Sequence, residues 1–360
     1  MADRPPPRIA VNGVLAARRA LLALADRLIP AHFALFDKTI GVGRTHAIGT
    51  IAELGVADLL AQRPQTAEEM AAQLDVDADA LHRVLRAGAV EGFVTMDRRG
   101  RFKLARLGEP LRTDSPHSMR DWARYMASPA TTEAWADLTE SVRTGQSAFP
   151  RVHGMSVWDW FAKHPEEERA FAGGMRRITE EVAPAIVAGY DWPRDGVVCD
   201  VAGGVGTLLA AILRDRADLG GVLVDGPGVL AEADAWLSST GLRDRVELTE
   251  GNIFERVDAQ ADVYLLKDVL HDWDDGACTQ ILSTVRATMP AGARLVLVED
   301  LQERNEPSPT ASLTDLQMLT QCDGGRQRSA DELRRLLEAA GLRPGGVTPT
   351  SGPALVEGIA

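Results

Sequence analysis

The spacing of apolar residues divides the chain into two parts near residue 195. Before that point, positions such as Leu21, Leu24 and Leu28 recur three or four residues apart, which predicts amphipathic helices. After it, short β-branched runs alternate with helical patterns, which is typical of an α/β fold with a doubly wound sheet. The predicted strands cover residues 197–201, 222–225, 245–249, 261–267 and 294–299, with two more near Val347 and Leu355.

A helical pair followed by a hairpin is predicted between residues 66 and 104. Thr66 and Glu69 have the spacing of a capping box, and Asp77 or Asp79 is expected to cap the second helix. The pattern then becomes strand-like on both sides of a polar turn at residues 97–100. Helix, helix and hairpin form a winged-helix-like module, which indicates DNA binding or dimerisation. We favour dimerisation, because only the hairpin is basic.

Three segments are expected along the chain. An N-terminal, mainly α, winged-helix-like dimerisation domain covers residues 1–112, and connecting helices that form part of a substrate pocket cover residues 113–190. A Rossmann-like catalytic domain covers residues 191–360. One connecting helix is predicted to start at Pro165, because proline at the first helical position is followed by three glutamates.

The charge balance restricts the possible partners. The 360 residues include 52 acidic and 39 basic side chains, which give a formal net charge of −13. An acidic surface disfavours nucleic acid and anionic membranes as main partners. The apolar stretch from Val14 to Phe36 is interrupted by charges and by Pro30, so no membrane span is expected. The three cysteines form no disulfide framework, which indicates a reducing compartment such as the cytoplasm.

The segment from Val197 to Leu208 carries the first chemical signal. A β-branched run containing Asp200 leads through a glycine-rich turn into an apolar helix pattern, as at the nucleotide sites of open α/β sheets. A plain strand-to-helix turn is the alternative. Asp225, which ends the next strand, can accept hydrogen bonds from both ribose hydroxyls or can be a solvated loop residue. Ala202, which replaces the first glycine and adds a methyl group at the turn, and the preceding acid argue against NAD and favour S-adenosylmethionine.

Six stretches of the chain together carry a family resemblance. They are Val157–Phe161, His164–Glu167, Asp200–Gly206, Gly251–Phe254, Leu266–Trp273 and Gly324–Ser329. With them the chain resembles the S-adenosylmethionine-dependent O-methyltransferases of the class that includes plant caffeic acid enzymes, hydroxyindole O-methyltransferase and bacterial tailoring enzymes of aromatic polyketides. The resemblance covers nearly the whole chain. It implies methyl transfer from S-adenosylmethionine to a hydroxyl of a small aromatic secondary metabolite, by a homodimer.

The resemblance implies that His271 is the general base, and the chemistry of histidine agrees. Imidazole titrates near neutrality and can take the proton of a phenol as its oxygen attacks a sulfonium methyl group. A surface histidine before a helix cap is the alternative. The resemblance also implies that Glu299, at the end of the fifth strand, orients His271. Gln327 stands where plant members often have a second acid, and it adds no charge.

The resemblance implies the remaining site residues position by position. Asn252 is expected beside adenine, Ile253 or Phe254 on the purine face, and Lys267 either near the cofactor or merely solvated. The expected cofactor residues are Asp200, Gly203, Gly204, Gly206, Asp225, Gly251, Asn252, Ile253, Phe254 and Lys267.

The expected acceptor residues are Trp158, Phe161, Phe171, Met175, Asp272, Trp273, Met318 and Gln321. Each of these acceptor candidates is equally a candidate for the hydrophobic core. No metal is expected.

Two other functions stay open, along with the identity of the acceptor and of the methylated atom. A protein of the same fold can bind S-adenosylmethionine and perform hydroxylation or a pericyclic step without methyl transfer. A winged-helix regulator would bind DNA. The expected pair of His271 and Glu299 disfavours the first function, and the acidic charge balance disfavours the second.

Overall fold

The structure is a computed structural model that describes residues 5–306 and 308–360. The chain forms two compact units. One unit comprises the residues up to 13 together with 134–157 and 178–360, and the other comprises residues 14–133 and 158–177. The expected division into three segments stays a prediction.

The first half of the chain is helical apart from one hairpin. Helices α1 to α6 are Arg8–Arg27, Ala31–Thr39, Gly41–Glu53, Val56–Gln62, Ala67–Leu74 and Ala78–Val90. Strands β1 and β2 are Val94–Met96 and Phe102–Leu104. Helices α7 to α12 are Arg120–Met126, Pro129–Ala136, Leu138–Thr144, Ala148–His153, Val157–Lys163 and Pro165–Gly189.

The predicted helical pair and hairpin are present. At the start of α5, Thr66 Oγ1 accepts from the backbone N–H of Glu69 at 3.3 Å, and the Thr66 N–H donates to Glu69 Oε2 at 2.8 Å. Asp77 caps α6 by accepting from the N–H of Ala80 at 2.8 Å. Strands β1 and β2 pair antiparallel. The wholly buried Phe102 belongs to the same apolar cluster as residues of both helices, which makes the module one folded piece.

A seven-stranded sheet forms the second half of the chain, in the order β5-β4-β3-β6-β7-β9-β8. Strands β3 to β7 run parallel to one another, and β9 pairs antiparallel with both β7 and β8. The doubly wound α/β fold is therefore confirmed. The strands β3 to β9 are Gly196–Val201, Leu219–Asp225, Val246–Glu250, Val263–Lys267, Arg294–Glu299, Arg343–Thr348 and Ala354–Ile359. The helices α13 to α17 are Thr207–Asp215, Pro227–Ser239, Asp275–Thr288, Pro309–Gln321 and Ala330–Ala339.

Strand β4 begins three residues before its predicted start. Gly220 and Gly221 pair with Val197 and Val198 in the parallel ladder, although glycine is disfavoured in strands. A Cβ atom on Gly221 would lie 3.0 Å from a methyl carbon of Leu209 in α13. Glycine therefore lets the helix pack closely on the strand, which a propensity argument misses.

The two faces of the sheet carry separate apolar clusters. Cys199 and Tyr264 belong to one cluster, and Val198 and Leu265 belong to the other. Central strands that are buried on both sides have continuous apolar sequences rather than alternating ones. The chain winds outward from β3 through β4 to β5, and outward from β6 to β7, on the other side. The switch point between β3 and β6 is where such sheets bind ligands, outside the carboxyl ends of the strands.

Helices α1 and α2 expose large apolar side chains. No residue of α1 is buried. Leu21 is 67% exposed, Phe33 57% and Phe36 63%. Among the helices of the described residues, none combines the length and apolar character needed to cross a membrane. An exposed apolar surface of this kind indicates a protein interface.

Candidate functional site

The glycine-rich loop connects β3 to α13 and folds back on Asp200. A Cβ atom on Gly203 would lie 2.4 Å from the carboxyl carbon of Asp200, so only glycine fits there. Asp200 is 1% exposed, and its Oδ2 atom has no hydrogen-bond partner in the described part of the chain. Burial raises the pKa of Asp200 to about 7, although the charge of Lys267 and a backbone hydrogen bond from Leu209 lower it.

Ala202 has a φ of +54°. This left-handed conformation costs an L-residue roughly 1–2 kcal/mol, whereas glycine adopts it freely. The sequence indicates only an added methyl group at this turn. The structure shows that replacement of the family's first glycine strains the backbone itself.

Asp225, at the end of β4, is hydrogen-bonded to the glycine-rich loop. Its Oδ2 accepts from the N–H of Gly204 at 2.9 Å, and its Oδ1 accepts from the N–H of Gly226 at 2.8 Å. Burial raises the pKa of Asp225, while these two hydrogen bonds lower it. Each carboxylate oxygen keeps a lone pair for a ribose hydroxyl. Asp225 is therefore a structured, partly buried residue rather than a solvated loop acid.

The turn after β5 contains the residues expected around adenine, and one of them, Phe254, contacts the expected acceptor residue Trp273. The N–H of Gly251 donates to the backbone oxygen of Asp225 at 3.1 Å. Asn252 is exposed, and its Oδ1 already accepts from the N–H of Phe254 at 3.0 Å, which leaves one lone pair for an adenine amine. The ring of Phe254 packs edge-on against Trp273, with centroids 4.7 Å apart. Ile253 and Phe254 are partly buried against the core.

His271 lies in a 3-10 turn, Leu270–Asp272, between β6 and α15. Its Nδ1 lies 2.8 Å from Oε2 of Glu299, and the other oxygen of Glu299 accepts from the N–H of Leu270 at 3.0 Å. His271 is 9% exposed and Glu299 is 3% exposed. Asp274 does cap α15, by accepting from the N–H of Ala277 at 2.7 Å. His271 is nevertheless a buried residue with a carboxylate partner, not a surface histidine.

Carboxylates surround the imidazole. Burial lowers the pKa of His271, but the charge of Glu299 and then that of Asp272 raise it. The hydrogen bond to Glu299 and the charge of Asp268 add to this effect, so the pKa lies well above its ordinary value. Burial also raises the pKa of Asp272 to about 6, while the charge of His271 lowers it. The turn therefore favours a positive charge on the imidazole.

Lys267 is buried rather than solvated. Its side chain is 8% exposed, and its ammonium group pairs with the carboxylate of Asp268. Its charge lowers the pKa of Asp200 in the glycine-rich loop. Lys267 thus lies in electrostatic contact with the loop, which is consistent with a place near the cofactor.

The segment after α16 supports the turn of His271, and sequence reasoning assigned it no such role. The N–H of Arg326 donates to the backbone oxygen of His271 at 2.8 Å. Arg328, 3% exposed, donates to the backbone oxygens of Leu270 and Trp273, each at 2.6 Å. The Sγ of Cys322 lies 3.4 Å from Oδ1 of Asp272. In the sequence, this segment is marked only by the resemblance of Gly324–Ser329 to the family, which does not indicate these contacts.

The expected acceptor residues fall in both compact units. In one unit, Phe161 and Phe171 stack with ring centroids 4.9 Å apart, and Trp158 meets Phe171 edge-on at 6.1 Å. Met175 is half-buried in the same unit. In the other unit, Met318 is 6% exposed and Gln321 is 2% exposed.

Two buried glutamines of this second unit, the expected acceptor residue Gln321 and its neighbour in sequence Gln327, have amide atoms without partners in the described part of the chain. Gln321 has no hydrogen-bond partner for Nε2 or Oε1 among the described residues, and Gln327 has none for Oε1. A buried polar group without a partner costs about 1–3 kcal/mol. These amides are therefore positions where a bound ligand would gain hydrogen bonds.

Comparisons with known proteins match the chain to one family. The model of the O-methyltransferase domain matches residues 135–343, and the model of the O-methyltransferase dimerisation domain matches residues 41–114. The chain is 38% identical over 330 residues to a phenazine O-methyltransferase of Lysobacter antibioticus, which covers 91% of this chain and 96% of the relative.

Two solved structures share the fold. The crystal structure of LaPhzM has a TM-score of 0.89 at 37% identity and covers 92% of this chain and 99% of its own. The O-methyltransferase NcsB1, from neocarzinostatin biosynthesis, was solved with S-adenosylhomocysteine and 1,4-dihydroxy-2-naphthoic acid. It has a TM-score of 0.77 at 34% identity and covers 88% of this chain and 96% of its own.

The strained turn gives a test of the local backbone. Replacing Ala202 with glycine is expected to raise the free energy of unfolding by up to ~1 kcal/mol, because relief of the left-handed conformation exceeds the added chain entropy. Ala235, exposed within α14, is the matched control, since glycine there should cost about 0.5–1 kcal/mol. Denaturant unfolding of both variants measures whether each substitution raises or lowers the free energy of unfolding. Equal destabilisation by both substitutions would contradict the strain.

Proposed function

The chain belongs to the S-adenosylmethionine-dependent O-methyltransferases, and we propose that His271 removes the proton from the acceptor hydroxyl during methyl transfer. The observation that carries the proposal is the 2.8 Å contact between Nδ1 of His271 and Oε2 of Glu299. A carboxylate that accepts from Nδ1–H leaves Nε2 as the proton acceptor and stabilises the imidazolium that forms. Positioning of the two reactants then supplies much of the remaining acceleration.

The loop residues fit the methyl donor, which supplies an activated methyl group on sulfur when it is bound. Asp200 offers a buried oxygen with no partner among the described residues, which can accept from the ammonium of the methionine portion. Gly203, Gly204 and Gly206 let the main chain approach that portion closely. Asp225 accepts from the ribose, and Asn252 from the adenine amine. Gly251, Ile253, Phe254 and Lys267 complete the cofactor set.

The acceptor set combines aromatic and polar side chains. Gln321 supports this assignment, because its buried amide atoms lack partners among the described residues. Aromatic side chains suit a flat acceptor, which they can contact over its face and edges. The full set proposed to contact the acceptor is Trp158, Phe161, Phe171, Met175, Asp272, Trp273, Met318 and Gln321.

The protein is proposed to act as a homodimer in the cytoplasm, without nucleic acid or membrane partners. The match to a dimerisation domain and the exposed apolar side chains of α1 and α2 support the homodimer. The three cysteines are all free and buried, which suits a reducing compartment.

Loss of the base is the direct test of this function. Replacing His271 with alanine is expected to lower the rate of methyl transfer by about two to four orders of magnitude, the usual contribution of a general base. Binding of S-adenosylhomocysteine should persist. Single-turnover formation of methylated product, followed by mass spectrometry with a phenolic acceptor, measures the rate. His82, in α6, is the control, and its alanine variant should keep the wild-type rate. Undiminished turnover by His271→Ala would refute the assignment.

The homodimer can be tested at the exposed apolar helices. Replacing Leu21 and Phe36 together with serine should shift the molar mass from a dimer toward a monomer, because burial of their apolar surface would no longer favour association. Light scattering after size exclusion measures the mass. Val142, 70% exposed in α9, is the control, and Val142→Ser should leave the mass unchanged. A monomeric wild-type protein would contradict the proposal.

A further inference from the structure

Asp268 occupies a strained backbone position directly after β6. Its φ is +53°, in the left-handed region that few residues other than glycine adopt, although aspartate and asparagine are tolerated there. Strain of this kind persists where the surrounding structure requires it and is concentrated at functional sites. Neither the residue pattern nor the family resemblance assigns Asp268 a role.

The strained position brings a third carboxylate to the base. A carboxylate oxygen of Asp268, a ring nitrogen of His271 and a carboxylate oxygen of Glu299 all lie within 4.8 Å of one another. The side chain of Asp268 is 18% exposed and pairs with the ammonium group of Lys267. This contact keeps the carboxylate beside the imidazole.

We propose that Asp268 is a positioning residue for the methyl transfer, which stabilises the charged form of His271 and so sets the pH at which the base becomes available. The inference rests on the proposed role of His271 as the base. A more basic imidazole accepts the acceptor's proton more strongly once it is free. The corresponding cost is that the free enzyme holds His271 protonated near neutral pH.

The charges around His271 determine whether its pKa is raised or lowered. Glu299 and Asp300 face it from the end of β7, Asp268 from the end of β6, and Asp272 from its own turn. Lys267 is paired with Asp268. Cys322 contacts Asp272, and Arg328 binds the neighbouring backbone oxygen of Leu270 while it pairs with Asp275. Carboxylates outnumber the cations, and the pKa of His271 is raised in spite of its burial, which acts in the opposite direction.

The test is the pH dependence of kcat/KM for the acceptor in Asp268→Asn, together with an NMR titration of His271. Asparagine tolerates the same φ, so the backbone should be preserved. Removing the negative charge destabilises the imidazolium, so the acid limb and the pKa of His271 should both move to lower pH by about one unit. A merely structural role would lower activity at every pH without moving the limb.

Asp274→Asn is the matched control. Asp274 caps α15 and does not belong to the cluster of Asp268, His271 and Glu299, and asparagine caps helices equally well. Its pH profile should equal that of the wild type. If Asp268→Asn does not fold, Asp268→Gly removes the same charge and adopts the same φ.

Two outcomes would overturn the inference. One is an unchanged pKa of His271 in a folded Asp268 variant, and the other is a wild-type pKa near the ordinary value of about 6.5. The second outcome needs no variant, so the inference stays open to refutation even if neither variant folds. The NMR titration does not depend on turnover. Failure of His271 as the base is instead revealed by full activity of His271→Ala, so the two failures are distinguishable.

Discussion

The hydrogen-bonded pair of His271 and Glu299 is the interaction on which the site depends. Both oxygens of Glu299 are engaged, one by the imidazole and one by the N–H of Leu270, so a single buried carboxylate fixes both the ring and its turn. Breaking such a buried pair typically costs about 3–5 kcal/mol, because one charge is left uncompensated. Arg328, which lies more than fifty residues later in the chain, stabilises the same turn through its hydrogen bonds to the backbone oxygens of Leu270 and Trp273.

The sheet explains why these groups meet. Parallel strands bring their carboxyl ends to one edge, and the reversal of winding between β3 and β6 opens a crevice there. Asp200 and Asp225 come from β3 and β4, and Lys267 and Glu299 come from β6 and β7. Three acids thus share one edge of the sheet. We propose that Asp200 and Asp225 bind the methyl donor and that Glu299 orients the base.

Much of this arrangement follows from local sequence rules. The capping box at Thr66 and the apolar runs buried on both faces are short-range signals, and each predicted its element. The Leu266–Trp273 stretch pointed to His271 only through the family resemblance. The left-handed conformations of Ala202 and Asp268 could not be predicted, because they result from the packing of the loops rather than from residue preference. Arg328 was missed for a related reason, since its partners lie more than fifty residues away along the chain. The glycines of β4 were not predicted as strand residues, because they are favoured by the close packing of helix α13 and strand propensity does not describe such packing.

The most direct measurement is a double-mutant cycle on the base pair. The rates of methyl transfer by His271→Ala, Glu299→Gln and the double variant are compared at one pH with the donor saturating. If Glu299 acts only through His271, the double variant should be no slower than His271→Ala alone. Fully additive losses would show that the two residues act independently, and would contradict the account.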